Sequence, residues 1–161
     1  MPRKPKADAR SVYDKALGLL ARREHSAREL KTKLALRGHQ ADEAAPVIEQ
    51  LKQRQYQSDD RFAMSLARRR AAQGYGPRRI QAELKSHGMT DATVREAVAG
   101  VDVDWAAIAS AQLRRRHGSV AAADHEERAA RAGFLLRRGF DPATVRAVTR
   151  AEVDDPGEEL D

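Results

Sequence analysis

The chain of 161 residues carries 30 Lys and Arg against 24 Asp and Glu, and only 4% of its residues are aromatic. It contains no cysteine, which excludes disulfides and thiolate chemistry, and no apolar run approaches the roughly 18 residues of a membrane-spanning helix. We therefore expect a cytoplasmic protein whose helices approach one another through small side chains and leave no large pockets.

Three glycines, Gly38, Gly88 and Gly139, each end one helical segment and open another, at intervals of 50 and 51 residues. Before the first two glycines, apolar residues recur in the same four-residue steps: Leu30 and Leu34, then Ile80 and Leu84. After each glycine a second stripe with helical period follows: Ala44, Val47, Ile48 and Leu51; then Val94, Ala97, Val98 and Val101; then Val145 and Val148. The spacing predicts three copies of one helical unit, stacked as an array.

The first unit is predicted to cover residues 8–57, after a basic, disordered segment at residues 1–7 that is rich in Pro and Lys. Its first helix carries Val12 and Ala16 on one face, and its third helix ends near Gln55. Between them, Ser26-Ala27-Arg28-Glu29 has the form of a capping box, which predicts the start of the second helix.

The second unit is predicted to cover residues 58–101 and begins with a hydroxyl cap followed by two acids, Ser58-Asp59-Asp60. Gly74-Tyr75-Gly76 interrupts its helices, and Pro77 restarts a helix at its first position. Tyr75, a lone aromatic residue between two glycines, is predicted to pack against the protein, with stacking on a nucleic-acid base as the alternative.

The third unit is predicted to cover residues 102–150, with Trp105 near the start of its first helix and Gly118 at the end. Asp124-His125-Glu126-Glu127 has the form of another capping box, and Asp141-Pro142 is a cap followed by proline. No segment alternates with period two over strand length. We therefore predict an all-α fold: three tandem three-helix repeats that form an elongated, curved helical array.

The last segment, residues 151–161, holds six acids and no base and is predicted to be a disordered acidic tail. The other 150 residues therefore carry 30 bases and 18 acids, a net charge of +12. A body of this charge attracts polyanions or acidic protein surfaces, and the tail is predicted to shield it in cis.

Enzyme chemistry has little support in this sequence. The five histidines have neither the i, i+4 spacing of a helical zinc pair nor neighbouring cysteines: His25, His39, His87, His117 and His125. Gly74-Tyr75-Gly76 follows a helix and lacks the downstream Lys-Ser/Thr pair of a phosphate loop. We expect no catalytic residues, no metal and no cofactor.

Runs of arginine are the remaining candidates for a binding site, because the planar guanidinium suits phosphates and carboxylates. Consecutive helical residues fan out by about 100°, so a run of three does not share one face. Arg70 and Arg116 continue the apolar stripes of their helices, and we expect their stems to lie against the core. The predicted partner-binding residues are Arg68, Arg69, Arg78, Arg79, Arg114 and Arg115.

The segment Tyr56–Met89, YQSDDRFAMSLARRRAAQGYGPRRIQAELKSHGM, resembles the signature of the RecX family of bacterial recombination regulators. A Tyr and a polar turn lead into Asp-Asp-Arg-Phe-Ala, a basic helix, Gly-Tyr-Gly-Pro and an Ile-xxx-Leu helix that ends in Gly. Weaker similarity at Leu30–Gly38 and Arg138–Phe140 extends the resemblance to most of residues 10–150. The chain departs from the pattern at His39, in the missing Leu-xxx-Leu step of the third unit, and in the acidic tail.

The resemblance implies a non-enzymatic regulator that binds the RecA recombinase and its filament on DNA. It implies modulation, mainly inhibition, of recombinase, ATPase and coprotease activity in DNA repair and the SOS response. We expect a monomer with weak electrostatic contacts to single- or double-stranded DNA. The alternative is a stand-alone DNA-binding protein with helix-turn-helix-like repeats, which would hold duplex alone with a steep salt dependence; a small enzyme is the third and least supported reading.

Overall fold

A computed structural model of the protein describes residues 9–154, with side chains as far as Arg150. Within these residues the chain forms nine α-helices and no strand: α1 Ala9–Arg22, α2 Ala27–Leu36, α3 Ala41–Gln53, α4 Asp59–Ala72, α5 Pro77–Ser86, α6 Asp91–Ala99, α7 Trp105–His117, α8 His125–Arg137 and α9 Pro142–Asp154. The predictions for residues 1–8 and 155–161 lie outside the described residues. Helix α9, however, continues four residues into the segment predicted to be a disordered tail.

The helices form three repeats, α1–α3, α4–α6 and α7–α9, which confirms the predicted all-α fold. In each repeat the third helix packs against both of the others, and each repeat has its own hydrophobic cluster. Trp105 and Ile108 of α7 pack against the clusters of both the second and the third repeat. No helix of the described part is long and apolar enough to cross a membrane.

The buried positions are those that the repeat predicts. Leu30, Leu34, Ile80 and Leu84 are fully buried, and the stripes after the glycines are buried too, except that Val98 is half-buried. Full burial of one such aliphatic side chain stabilises the fold by about 1.5–3 kcal/mol. The three repeat glycines all adopt the left-handed conformation, with φ of 87°, 76° and 92°.

One core position of the third repeat is occupied by an arginine. Arg131 precedes Gly139 by eight residues, as Leu30 and Ile80 precede their glycines, and it is 1% exposed. Its guanidinium donates to the carbonyl of Val120 at 2.9 Å and to Glu127 at 2.7 Å. It thereby ties down the connection between α7 and α8, which is longer than the equivalent connections of the other repeats. This is why the third unit lacks the Leu-xxx-Leu step.

The predicted helix starts are correct, but both predicted capping boxes are only half formed. Ser26 and Asp124 accept from the backbone N–H three residues later, as expected. The reciprocal bonds are missing because Glu29 pairs with Arg23 and Lys33, while Glu127 accepts from the backbone of Ala123. Each glutamate is thus engaged by other nearby groups instead of the backbone N–H of its own cap residue.

Two joints connect the repeats. In each joint, the start of the middle helix of one repeat contacts the end of the middle helix of the following repeat. The 1–2 joint consists of the start of α2, Ser26–Arg28, and the end of α5, Ser86–Gly88, flanked by Glu24 and His25 and by Gln57–Arg61. The 2–3 joint consists of Gln73–Arg79 and of Arg138–Asp141 at the end of α8. The described contacts between repeats place them in the linear order one, two, three.

Candidate partner-binding surface

The exposed face of α4 carries two of the predicted binding residues. Phe62, Leu66 and Ala67 are buried, whereas Arg68 and Arg69 are exposed. Within the described residues, no ion pair or hydrogen bond involves either guanidinium. Their donors are therefore available to a partner.

Helix α7 repeats this arrangement. Ala109 and Leu113 are buried, whereas Arg114 and Arg115 are exposed, and neither guanidinium has an acidic partner in the described part of the chain. These four residues, Arg68, Arg69, Arg114 and Arg115, are called the arginine surface from here on. Unpaired arginines in a basic protein favour a phosphate-rich or carboxylate-rich partner.

A groove of about 660 Å³ brings two members of the arginine surface together, contrary to the expectation of no large pockets. It opens between the C-terminal part of α4 and the middle of α7, next to the 2–3 joint. Arg68 and Arg115 line it, whereas Arg69 and Arg114 do not. Most of the remaining lining is apolar or lacks charge: Ala71, Ala72, Gly74, Val101, Val103, Ile108, Ala111 and Gln112.

Arg70 behaves as predicted, and Arg116 does so only in part. Arg70 is half-buried and makes a bidentate pair with Glu83, at 2.6 and 2.8 Å. This hydrogen-bonded pair lowers the pKa of Glu83 despite its partial burial. Arg116 is exposed, and its guanidinium lies 4.7 Å from the ring centroid of Phe134 rather than along the stripe of Trp105. The helical period therefore predicted the environment of the arginine on α4 correctly, but that on α7 only in part. On α7 the arginine contacts an aromatic ring of α8, which the pattern of α7 alone does not reveal.

The other two predicted binding residues, Arg78 and Arg79, lie in the 2–3 joint. Arg78 pairs with Asp141 at 2.8 Å, and both side chains are about half exposed. Arg79 places its guanidinium 4.5 Å from the ring centroid of Tyr75. The structure thus does not bring these two residues together with the arginine surface. Arg78 pairs with the third repeat, whereas the Arg79 side chain stacks on Tyr75 of its own repeat.

Arg138 is a joint residue that the sequence analysis did not single out. It donates to the carbonyls of Gly74 at 3.0 Å and Gln73 at 2.9 Å, and stacks 4.4 Å from the ring centroid of Tyr75. Tyr75 therefore lies between two guanidinium groups, which confirms the prediction that it packs. Its position in the repeat could have identified Arg138 as a joint residue, because it immediately precedes the repeat glycine, as His87 does in the second repeat.

Four of the histidines, His25, His39, His87 and His117, make structural contacts, and His125 is exposed at the start of α8. Buried His39 receives the Lys15 ammonium on Nε2 at 3.0 Å, at the position that Met89 and Phe140 fill in the other repeats. Among the described residues, no group of three or more His, Cys, Asp and Glu is placed to hold a metal ion. The chemistry that the described surface offers is recognition by guanidinium groups.

Comparison with known proteins assigns the three repeats to one family. Residues 13–51 match the first three-helix domain of RecX, residues 58–98 the second and residues 102–149 the third. Proteins named Regulatory protein RecX are similar over nearly their whole length. The Xanthomonas citri protein is 42% identical over 141 residues, covering 88% of this chain and 87% of its own. The Stenotrophomonas maltophilia (strain K279a) protein is 40% identical over 153 residues, covering 95% and 94%.

Solved structures share the fold. The crystal structure of RecX from Lactobacillus salivarius superposes with a TM-score of 0.72 at 19% identity, over 91% of this chain and 97% of that one. A crystal structure of a regulatory protein RecX gives a TM-score of 0.73 at 18% identity, over 88% and 71%. At such identities the likeness establishes the three-repeat architecture.

Proposed function

The chain belongs to the RecX family of regulatory proteins, and from this premise we propose that it binds a RecA-type recombinase and its filament on DNA. Binding mainly inhibits the recombinase, ATPase and coprotease activities. The repeats, proposed as residues 8–57, 58–101 and 102–150, stack along the filament and contact more than one subunit. The protein acts as a cytoplasmic monomer without enzymatic activity of its own.

The observation that carries this proposal is the arginine surface. Four exposed guanidinium groups on α4 and α7 have no acidic partner in the described part of the chain. A linear row of repeats with unpaired cations on two successive repeats suits an extended acidic groove better than it suits a small substrate. Arg78 and Arg79 contribute to binding through the angle at which they hold the third repeat, and less through direct contact.

The test is the DNA-dependent ATPase rate of a RecA-type recombinase with increasing amounts of the protein. We expect inhibition at or below one copy per recombinase. A variant with glutamine at all four positions of the arginine surface should inhibit much less. The matched control carries glutamine at four other exposed arginines, Arg22, Arg95, Arg146 and Arg150, and changes the net charge equally. It should retain most of the inhibition.

Equal inhibition by the two variants would mean that net charge, and not this surface, governs binding. The alternative function, a stand-alone DNA-binding protein, is separated by measuring affinity for bare duplex and single strands without recombinase. Tight binding to bare duplex with a steep salt slope, together with unchanged recombinase turnover, would support the alternative instead.

A further inference from the structure

The groove between α4 and α7 has the composition of a docking site for an acidic peptide segment. Its floor is mostly apolar and includes Val103, which is 40% exposed, and its lining also contains one carboxylate, that of Asp102. Arg68 and Arg115 stand on its two walls, and neither guanidinium is paired within the described residues. An occupant therefore needs carboxylates or phosphates at its edges and an apolar group between them.

The repeat geometry indicates where helix α9 ends relative to α7. In the first repeat, Gln57, four residues after α3, donates to the carbonyl of His25 just after α1. In the second repeat, Val103, four residues after α6, lines the groove together with Gly74 just after α4. Helix α9 packs against α7 in the same way. The chain beyond Asp154 therefore starts near the C-terminal part of α7, which carries Arg115.

The segment that follows α9, residues 155–161, is complementary to the groove in charge. It contains Asp155, Glu158, Glu159 and Asp161, no base, and one large apolar residue, Leu160. Seven extended residues span up to about 24 Å. Because the segment is tethered, its effective concentration is in the millimolar range, so a weak site is sufficient for substantial occupancy.

We propose that residues 155–161 bind in cis in the groove between α4 and α7, with carboxylates on Arg68 and Arg115 and with Leu160 on the apolar floor. The docked segment occupies part of the arginine surface and competes with any polyanionic partner. The docking is supported by the lining of the groove and by the composition of residues 155–161. Only its regulatory consequence rests on the proposed function.

Paramagnetic NMR on the full-length chain tests the docking without any partner. The chain has no cysteine, so a Gly157→Cys variant accepts a single nitroxide label. At low salt we expect the amides of Val103 and Ala111 to lose more than about half of their intensity, and to recover it at high salt as the charges are screened. Glutamine at Arg68 and Arg115 should abolish the broadening. Broadening confined to the end of α9, or unchanged in that double variant, would overturn the proposal.

A mixture of labelled and isotope-enriched unlabelled chains distinguishes cis from trans docking. We expect the enriched, unlabelled chain to show no broadening at Val103. Strong broadening there would mean that the tail binds a second copy, and would overturn docking in cis.

The regulatory consequence is tested separately, with affinity for a single-stranded oligonucleotide. Neutralising the tail by D155N, E158Q, E159Q and D161N should strengthen binding roughly three- to tenfold at low salt. The control neutralises four exposed acids elsewhere, by D14N, D42N, E49Q and E96Q, and should strengthen binding less. Equal gains, or a tail effect that persists without Arg68 and Arg115, would reject competition at the groove. Failure to inhibit recombinase would reject the proposed function and leave the NMR result intact.

Discussion

The two joints between repeats are built at equivalent positions but by different chemistry. In the 2–3 joint the backbones bond directly: Gly76 N–H donates to the carbonyl of Arg138 and Arg78 N–H to that of Gly139, both at 2.9 Å. In the 1–2 joint side chains mediate the contact. Asp59 accepts from the N–H of Ala27 at 2.9 Å, Arg28 donates to the carbonyl of Ser86, and Ser26 Oγ lies 3.4 Å from His87 Nδ1.

The difference follows from one residue at the start of the middle helix. Position 76 is glycine, and a Cβ there would lie 2.4 Å from the carbonyl carbon of Gly139. The equivalent residue of the first repeat is Ser26, whose side chain caps α2 and keeps the neighbouring repeat further away. Glycine therefore permits a tight backbone joint, whereas serine requires a polar side-chain joint. Repeats of similar sequence are therefore not necessarily held together equally firmly.

The largest expected effect comes from giving the 2–3 joint the residue of the 1–2 joint. Gly76 has φ of −85°, which serine adopts freely, and serine is the better helix cap. Gly76→Ser should nevertheless destabilise the protein by about 1–3 kcal/mol, because the added Cβ overlaps the Gly139 backbone. Urea unfolding measures this. Gly18→Ser is the control, since a Cβ on Gly18 meets nothing within 4 Å; an unchanged or raised stability of Gly76→Ser would contradict the tight joint.

The next largest difference in stability is expected between substitutions of the two residues that immediately precede repeat glycines in the joints, Arg138 and His87. Arg138→Ala removes two charge-assisted bonds to carbonyls and two cation–π contacts, with Tyr75 and Phe134, at a cost of about 1–2 kcal/mol. His87→Ala removes a long contact to Ser26 and a ring contact with Phe62 at 4.8 Å, at a cost below about 1 kcal/mol. Thermal unfolding of the two variants compares them. A larger loss for His87→Ala would reverse the ranking of the joints.

Only the 1–2 joint is expected to respond to pH near neutrality. Burial lowers the pKa of His25, and the charges of Arg23 and Lys33 add to the lowering. The hydrogen bond from Nδ1–H to the carbonyl of Arg23 and the charge of Glu29 oppose it, while Nε2 accepts from Lys33. The unfolded chain then binds more protons below pH 6.5. The stabilisation from neutral His25 is present above this pH and is lost as the pH falls.

The measurement is the difference in unfolding free energy between wild type and His25→Asn, followed from pH 7.5 down to 5.5. All other histidines are present in both proteins, so the difference isolates His25. We expect the wild-type advantage to shrink as the pH falls. An advantage that grows on acidification would show that folding raises the pKa of His25.

The smallest effects on stability are expected for three exposed arginines, of which Arg78 lies in a joint and Arg68 and Arg115 lie on the arginine surface. Arg68→Gln with Arg115→Gln should change stability by no more than about 0.5 kcal/mol for each site. It should reduce the salt slope of nucleic-acid binding by about one unit per lost phosphate contact. Arg78→Gln should cost up to about 1 kcal/mol through its half-exposed pair with Asp141, with little change in slope. If Arg78→Gln reduced the salt slope and the Arg68→Gln, Arg115→Gln variant did not, the binding surface would lie at the 2–3 joint instead.

Local patterns in the sequence sufficed for the helices and for the repeat. Gly38, Gly88 and Gly139 were predicted to end helices because a left-handed cap requires a residue without a Cβ, and the apolar stripes were predicted from the helical period. Phe62 and Leu66 likewise fixed the phase of α4, so the exposure of Arg68 and Arg69 and the half-burial of Arg70 followed without knowledge of the neighbours.

Tertiary structure decided the features that depend on residues far apart in sequence. Arg131 occupies a core position because a long connection offers the carbonyl of Val120, and Arg138 reaches into the second repeat. Arg78 and Arg79 look like Arg68 and Arg69 in the sequence, yet Asp141 and Tyr75 engage them. The groove lined by Arg68 and Arg115 exists only because helices of two repeats, α4 and α7, lie next to each other. Helical period is a local property of the chain, whereas the pairing of charges and the distance between backbones are set by which surfaces fold together.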